Sequence, residues 1–271
     1  MKNLKLDFMR QILKAIIIFL GIILFIGIFA LVRIIFSSKK RGRYISYLLH
    51  YFSKILVWIL GIRIELHEEV ENFKKEGIFF VSNHLSYLDG IITSSLYPFL
   101  FIGKSELKNW PLLGILFSFS ETIFVDRINI FNIKEELNKI QFLLNQKVNL
   151  ILFPEGTSGD GTKILPFKSS FFEAPLKSKC KIVPLLIKYK KINNQLLNEN
   201  NKDLVYWYGD MEFFPHFLKV LGLKRIEVKV RVFHPLEIKE KNKQPSTLNR
   251  KDLSNAFKDL MTQHLKEEIF S

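Results

Sequence analysis

The chain has 271 residues, 48% of them hydrophobic, and a formal net charge of +14. That size and apolar content suit one sizeable globular domain with an appended segment and argue against a disordered chain. Ten basic residues lie in the first 61 positions against Asp7 alone, around the most apolar part of the chain, which points to anionic lipid as a partner and away from nucleic acid. The single cysteine, Cys180, rules out an intrachain disulfide and fits a reducing compartment.

Residues 15–32 are eighteen positions without a polar side chain, about the length that crosses a hydrocarbon core. Basic residues flank the run on both sides, Arg10 and Lys14 before it and Arg33, Lys39 and Lys40 after it. Positive charge therefore chooses no orientation, and a segment dipping into one leaflet suits the pattern equally. No small-x-small pattern closes the run, which argues against a cleaved signal peptide. Residues 44–60 set Leu48, Phe52, Ile55, Leu56 and Ile59 at helical spacing, with Ser46, His50, Ser53 and Lys54 on the other side. An interfacial helix is expected there, the alternative being a helix packed on the rest of the protein. The two segments are expected to form a two-helix membrane module over 1–61, ahead of a globular domain over 62–271.

From Ile62 on, short β-rich runs alternate with helical ones, the pattern of a single α/β domain with a mixed central sheet flanked by helices. Strands are expected at 63–66, 78–81, 99–102, 123–125, 150–153, 182–189 and 227–233. Helices are expected at 89–95, 112–119, 133–146 and 170–177, and after Ser246, where Leu253, Phe257, Leu260 and Met261 repeat as a covering face. The polar stretch 190–203 reads as a solvated loop.

Three stretches carry chemistry. Asn83-His84-Leu85-Ser86-Tyr87-Leu88-Asp89 follows the apolar run 78–81. If a helix begins after His84, the acid five positions on can hydrogen-bond one imidazole nitrogen and leave the other free to take a proton from a substrate hydroxyl. Spacing alone leaves open a helix-capping Asp beside a half-buried His. Pro154-Glu155-Gly156-Thr157-Ser158-Gly159-Asp160-Gly161 follows the run 150–153. It permits a tight turn with close ligand approach, where Glu155 can accept from a hydroxyl and Thr157 can donate to an anionic oxygen; an ordinary turn with a surface salt bridge is the alternative. Between them, Arg127 stands just past a strand end and can fork onto a phosphate or carboxylate, with Lys104 adding a point charge, unless Arg127 simply pairs with Asp126 or Glu121. Neither a nucleotide phosphate loop nor a G-x-S-x-G nucleophile elbow occurs.

In order and spacing, NHLSYLD, GKSELKNWPLLG, IFVDR, LFPEGTSGDGTKILPFKSSFF and IVPLLIKY together resemble the four-block signature of the glycerolipid acyltransferases, typified by 1-acylglycerol-3-phosphate acyltransferase. The resemblance covers about 81–189. It implies that His84 is the general base and Asp89 its orienter. It also implies that Lys104 and Arg127 grip the acceptor head group and that Glu155, Gly156 and Thr157 bind or polarise the acceptor. It implies a membrane-bound enzyme facing the cytoplasm, with neither metal nor bound cofactor, that moves a fatty acyl chain from a coenzyme A or acyl-carrier-protein thioester to a lysolipid hydroxyl. Backbone N–H groups near Gly156 are candidate oxyanion donors. A lipid-binding protein that kept the fold and lost the chemistry is the alternative class.

One departure matters. Relatives commonly carry Arg after Gly-Thr, where this chain has Ser158. Lys163 or Lys168 can substitute, or the head group is not a phosphate monoester. The run Tyr206-Trp207-Tyr208-Gly209-Asp210-Met211 with Pro215-His216 is similar to a stretch of the lyso-ornithine-lipid branch of the family. The first-choice acceptor is 1-acylglycerol-3-phosphate and the alternative a lyso-ornithine lipid, with Trp207 and Tyr208 expected in core packing.

Overall fold

The structure, a computed structural model, describes residues 2–68, 77–110, 113–125, 130–235 and 249–267. In chain order these form helices α1 (Lys2–Ile35) and α2 (Ser38–Leu60), strands β1 (Ile62–Glu68) and β2 (Phe79–Ser82), α3 (Leu88–Leu96), β3 (Leu100–Lys104), α4 (Leu113–Phe119), β4 (Ile123–Val125), α5 (Ile130–Asn145), β5 (Leu150–Leu152), α6 (Glu173–Ser178), β6 (Ile182–Ile192), β7 (Gln195–Leu196), α7 (Phe213–Gly222), β8 (Ile226–Val232) and α8 (Arg250–Glu267).

The expected mixed α/β sheet is present, with strand order β1-β8-β6-β2-β5-β3-β4 and β7 paired to the end of β6. β2, β5, β3 and β4 are parallel neighbours, whereas β6 meets β8 antiparallel. Parallel strands covered on both faces need continuous apolar sequence, and Phe79, Phe80 and Val81 of β2 are all fully buried. That is why 78–81 was legible as a strand. All seven expected strands are found. Two parts of the chain differ from expectation: 190–203 holds the β6 end, β7 and a short 3-10 turn at Lys202–Leu204 with Lys202 buried, and α7 was not anticipated. α8 covers the sheet as expected, with Leu253, Phe257 and Met261 buried and Phe257 stacked on Phe172.

α1 and α2 are not a separate lobe. Ile18, Ile22, Phe29 and Val32 of α1 and Ile45, Leu49 and Phe52 of α2 share one apolar core with the sheet. Asp7–Ile35 is, among the described residues, one helix long and apolar enough to cross a membrane. The 34 residues of α1 extend about 50 Å, yet both ends of the helix are clipped to the same body. Arg10 and Lys14 donate to the Gly222 and Leu223 carbonyls at the α7 C-terminus, each at 3.0 Å. At the other end Arg33 donates to the Ser118 carbonyl at 2.9 Å and, with Arg41, pairs with Glu121. Cations on the last carbonyls of a helix also offset its negative end. The opposite face of α1, including Leu13, Ile16, Leu20, Leu24, Leu31 and Ile34, is exposed.

The face of α2 expected to meet its surroundings is corrected. Ser46, His50 and Ser53 are buried where α2 packs on α3, whose Thr93, Ser94 and Ser95 are buried as well, while Tyr44, Tyr51, Ile55 and Trp58 are exposed. Small hydroxyls satisfy themselves on nearby carbonyls of their own helix, Ser46 on Arg43 at 2.8 Å and Thr93 on Asp89 at 2.7 Å. Such residues let two helices approach closely, so a polar stripe serves here as a packing face. His50 Nδ1 lies 2.8 Å from the Ser94 carbonyl oxygen and completes the seam.

Candidate active site

The site forms where β2 ends and β6 runs on. Ser82 is level with Leu185, and Asn83 prolongs the pairing with its side chain. Its amide donates to the Ile187 carbonyl at 3.0 Å and accepts from the Ile187 N–H at 2.7 Å. Asparagine can offer a donor and an acceptor in the geometry of a peptide group. With Asn83 held this way, His84 emerges at the strand end.

The next residues turn tightly into α3, whose first turn carries Asp89. Its Oδ2 accepts from His84 Nδ1 at 2.9 Å, from the Leu85 N–H at 2.6 Å and from the Ser86 N–H at 2.8 Å. An ionised carboxylate only accepts, so Nδ1 carries the proton and Nε2 is left as the basic lone pair. The imidazole is 21% exposed while Asp89 is fully buried, and the ring stacks on Phe153 with centroids 4.5 Å apart. The geometry is that of an imidazole oriented by a buried carboxylate, with one ring nitrogen left to act as a base. Asp89 also fastens the turn before α3, whereas the α3 N-cap, Tyr87, makes no side-chain cap hydrogen bond, so the helix-capping alternative is not what is found.

The glycine-bearing turn after β5 is fastened to the same loop. Glu155 is 5% exposed, and its two oxygens accept from the His84 and Leu165 N–H groups at 2.7 Å each. The Gly159 N–H donates to the His84 carbonyl at 2.9 Å. Burial pushes the Glu155 carboxyl up to about 7 against the opposing pull of those two N–H groups, with Asp89 adding repulsion. Glu155 therefore faces inward, unlike the acceptor contact expected of it. Gly156 takes φ +75°, which only glycine adopts freely, and its N–H donates to the Phe153 carbonyl at 3.1 Å. As an oxyanion donor that N–H is already spent. Thr157 is exposed beside it, Ser158 is buried, and Lys163 and Lys168 are exposed. Lys104 ends β3 half-buried; Arg127 lies outside the described residues.

Two contacts had no signal in spacing. The Tyr206-Trp207 segment closes over both loops. The Trp207 N–H donates to the Leu85 carbonyl at 2.9 Å, and Gly161, at φ +80°, lies so close to the Tyr206 ring that a Cβ would stand 2.4 Å from Cε2. Trp207 packs with Tyr87, Trp110 and Phe213, and Tyr87 reaches His216 Nδ1 at 3.0 Å. The second contact is the Tyr189 hydroxyl, 2.8 Å from Asp89 Oδ1. Only the alternation Leu185, Ile187, Tyr189 along β6 marks that residue as facing one side. Beyond Phe153, a cavity of ≈ 20 Å³ is lined by Ile102, Gly103, Val125, Leu152 and Gly156, room for little more than one water. Among the described residues no three His, Cys, Asp or Glu side chains group as a metal site.

Residues 62–188 match the Acyltransferase family. A lyso-ornithine lipid O-acyltransferase of Brucella abortus is 30% identical over 198 residues, 69% of this chain and 72% of the relative. One of Rhizobium meliloti is 29% identical over 66% of this chain, which spans 63% of that relative's length. A 1-acyl-sn-glycerol-3-phosphate acyltransferase of Limnanthes alba is 37% identical over 51% of this chain and 50% of the relative. Among solved structures, that of the 1-acyl-sn-glycerophosphate acyltransferase PlsC of Thermotoga maritima shares the fold, with TM-score 0.66 and 17% identity over 98% of this chain and 97% of that one.

Proposed function

Because this chain belongs to the lysolipid acyltransferase family, we propose that it transfers a fatty acyl group from a coenzyme A or acyl-carrier-protein thioester to the free hydroxyl of a lysolipid at a membrane surface. The observation that carries the reading is the 2.9 Å contact between His84 Nδ1 and a fully buried Asp89, which leaves Nε2 available at the edge of the turn after β5.

In the proposed reaction Nε2 of His84 takes the acceptor hydroxyl proton as its oxygen attacks the thioester carbonyl. Collapse of the tetrahedral intermediate breaks the C–S bond, and the imidazolium returns its proton to the leaving thiolate. Asp89 holds the ring in the productive tautomer and favours the transient cation. No covalent acyl-enzyme is needed. Lys104, Arg127 and Thr157 remain the proposed head-group contacts; Glu155 and Gly156 shape the turn that presents them. Residues 1–61 serve as the membrane module and 62–271 as the catalytic domain, with the exposed stripe of α1 seated in the cytoplasmic leaflet and anionic lipid attracted by the basic flanks.

The sequence blocks favour 1-acylglycerol-3-phosphate as acceptor. One observation favours a lyso-ornithine lipid: a buried Ser158 stands where relatives commonly carry Arg, and two relatives with that printed activity align over about two thirds of this chain. A labelled acyl thioester offered to the purified protein in vesicles with each lysolipid in turn tests both. Product from either acceptor, lost in His84→Ala, is expected; no product from any lysolipid overturns the reading.

A further inference from the structure

Asp89 is held at both ends of its carboxylate. Oδ2 collects the imidazole and two backbone N–H groups, and Oδ1 accepts from the Tyr189 hydroxyl at 2.8 Å. Asp89 is 0% and Tyr189 2% exposed, so this is a buried anion whose charge is divided between a donor on the imidazole side and a donor on the β6 side. Burial and the neighbouring carboxylate raise the phenol well above its ordinary range, so it stays an O–H donor, while the Ser86 hydroxyl bonds the same phenol oxygen. The Tyr189 ring packs edge-on to Tyr206 at 5.4 Å, a role that phenylalanine fills equally well. The hydroxyl is what the packing does not require, and a buried polar group costs free energy unless it is bonded.

We propose that Tyr189 is a positioning residue of the transfer reaction: its hydroxyl draws charge to Asp89 Oδ1 and so sets how tightly Oδ2 holds the protonated His84 ring. Without that donor, negative charge concentrates on the oxygen facing the imidazole. The imidazolium is then held more firmly, the ring stays protonated to higher pH, and the proton returns less readily to the leaving thiolate. The inference rests on the proposed reading, in which His84 accepts and returns the acceptor proton.

The test is Tyr189→Phe, with kcat and KM measured against pH and the imidazole titrated by 15N NMR without substrate. The expected result is an unchanged acceptor KM and an acidic limb raised by about half to one pH unit, which lowers kcat about three- to tenfold on that limb; the shift is part of the roughly one to two units that one lost hydrogen bond to a charged group is worth to that group itself. The NMR midpoint moves with it; Glu155, at about 7 beside the His84 N–H, and the Tyr206 phenol also face this pair, so the shift is read on the imidazole nitrogens themselves as well as on the rate. In an Asp89→Asn background the same change costs less than about twofold, because the charge it acts on is gone. Should Tyr189→Phe fold poorly, Ser86→Ala, which removes the hydroxyl on the phenol oxygen together with its long 3.4 Å contact to the Leu88 N–H, is expected to shift the limb in the same direction by less. An unmoved limb and midpoint, or an equal loss in both backgrounds, reduces Tyr189 to packing and overturns the proposal. Because the NMR titration needs no substrate, it separates this failure from a failure of the acyl-transfer reading.

Discussion

Glu155→Gln separates what the buried acid costs from what it does. The carboxyl is pushed up to about 7 from its ordinary value of 4.5. A group whose folded pKa lies above its unfolded value contributes stability that is fully present below the unfolded pKa and lost as pH rises through the folded one. Between pH 4.5 and 8 that loss is about 3 kcal/mol, at 1.36 kcal/mol per unit. Glutamine matches the protonated acid in offering one good acceptor, so the two proteins are expected to be about equally stable near pH 5. At pH 8 the variant is expected to be more stable by about 3 kcal/mol, or roughly 10 °C in melting temperature for a chain of this size. Activity moves the other way. One of the two N–H groups at 2.7 Å meets an amide NH2, and kcat falls by about tenfold if that group is the His84 N–H. Thermal melting in micelles from pH 5 to 8 is the assay. A melting difference that stays flat across this range would refute the reasoning, because the carboxyl would then titrate as though solvated.

Other outcomes follow from the same geometry. His84→Ala is expected to lower kcat by roughly 10²–10⁴ while melting stays near that of the parent, which a paired rate and melting measurement checks. Gly161→Ala forces a left-handed alanine against the Tyr206 ring and should cost at least about 1–2 kcal/mol of stability, readable by chemical denaturation. Leu20→Asp with Leu24→Asp places two charges on the exposed stripe of α1. Each costs about 3 kcal/mol at full hydrocarbon depth and less at an interface, so flotation with anionic vesicles should drop sharply while melting in micelles holds.

What could be read in advance follows from where the determining partners lie in the chain. Buried parallel strands announce themselves as apolar runs, and His84 and Asp89 sit within one turn of each other. Tyr189 is 100 residues from its carboxylate, and nothing local marks the meeting. α7 went unseen because its apolar residues surround Pro215, which a first helical turn tolerates but which punctuates a sequence. The inward face of α2 is not legible locally, because polarity in a sequence does not distinguish an exposed stripe from a close-packed one. Ser46 and Ser53 bury well where a partner helix also offers small side chains. The inward role of Glu155 depended on the Leu165 N–H, which only the return of the chain after Gly161 supplies.

The first helix has two allegiances. One side of α1 closes the same interior as the sheet, with Phe29 fully shielded, and the other side carries a greasy stripe that the described residues leave exposed. Trimming the chain at the turn after Ile35 would therefore not yield a water-soluble catalyst; it would strip the Phe25 ring from Phe52 and open the protein's middle. Conversely, keeping the helix in plain buffer leaves its outer side searching for oil. Solubility and integrity pull on one element in opposite directions, and an amphiphile satisfies both.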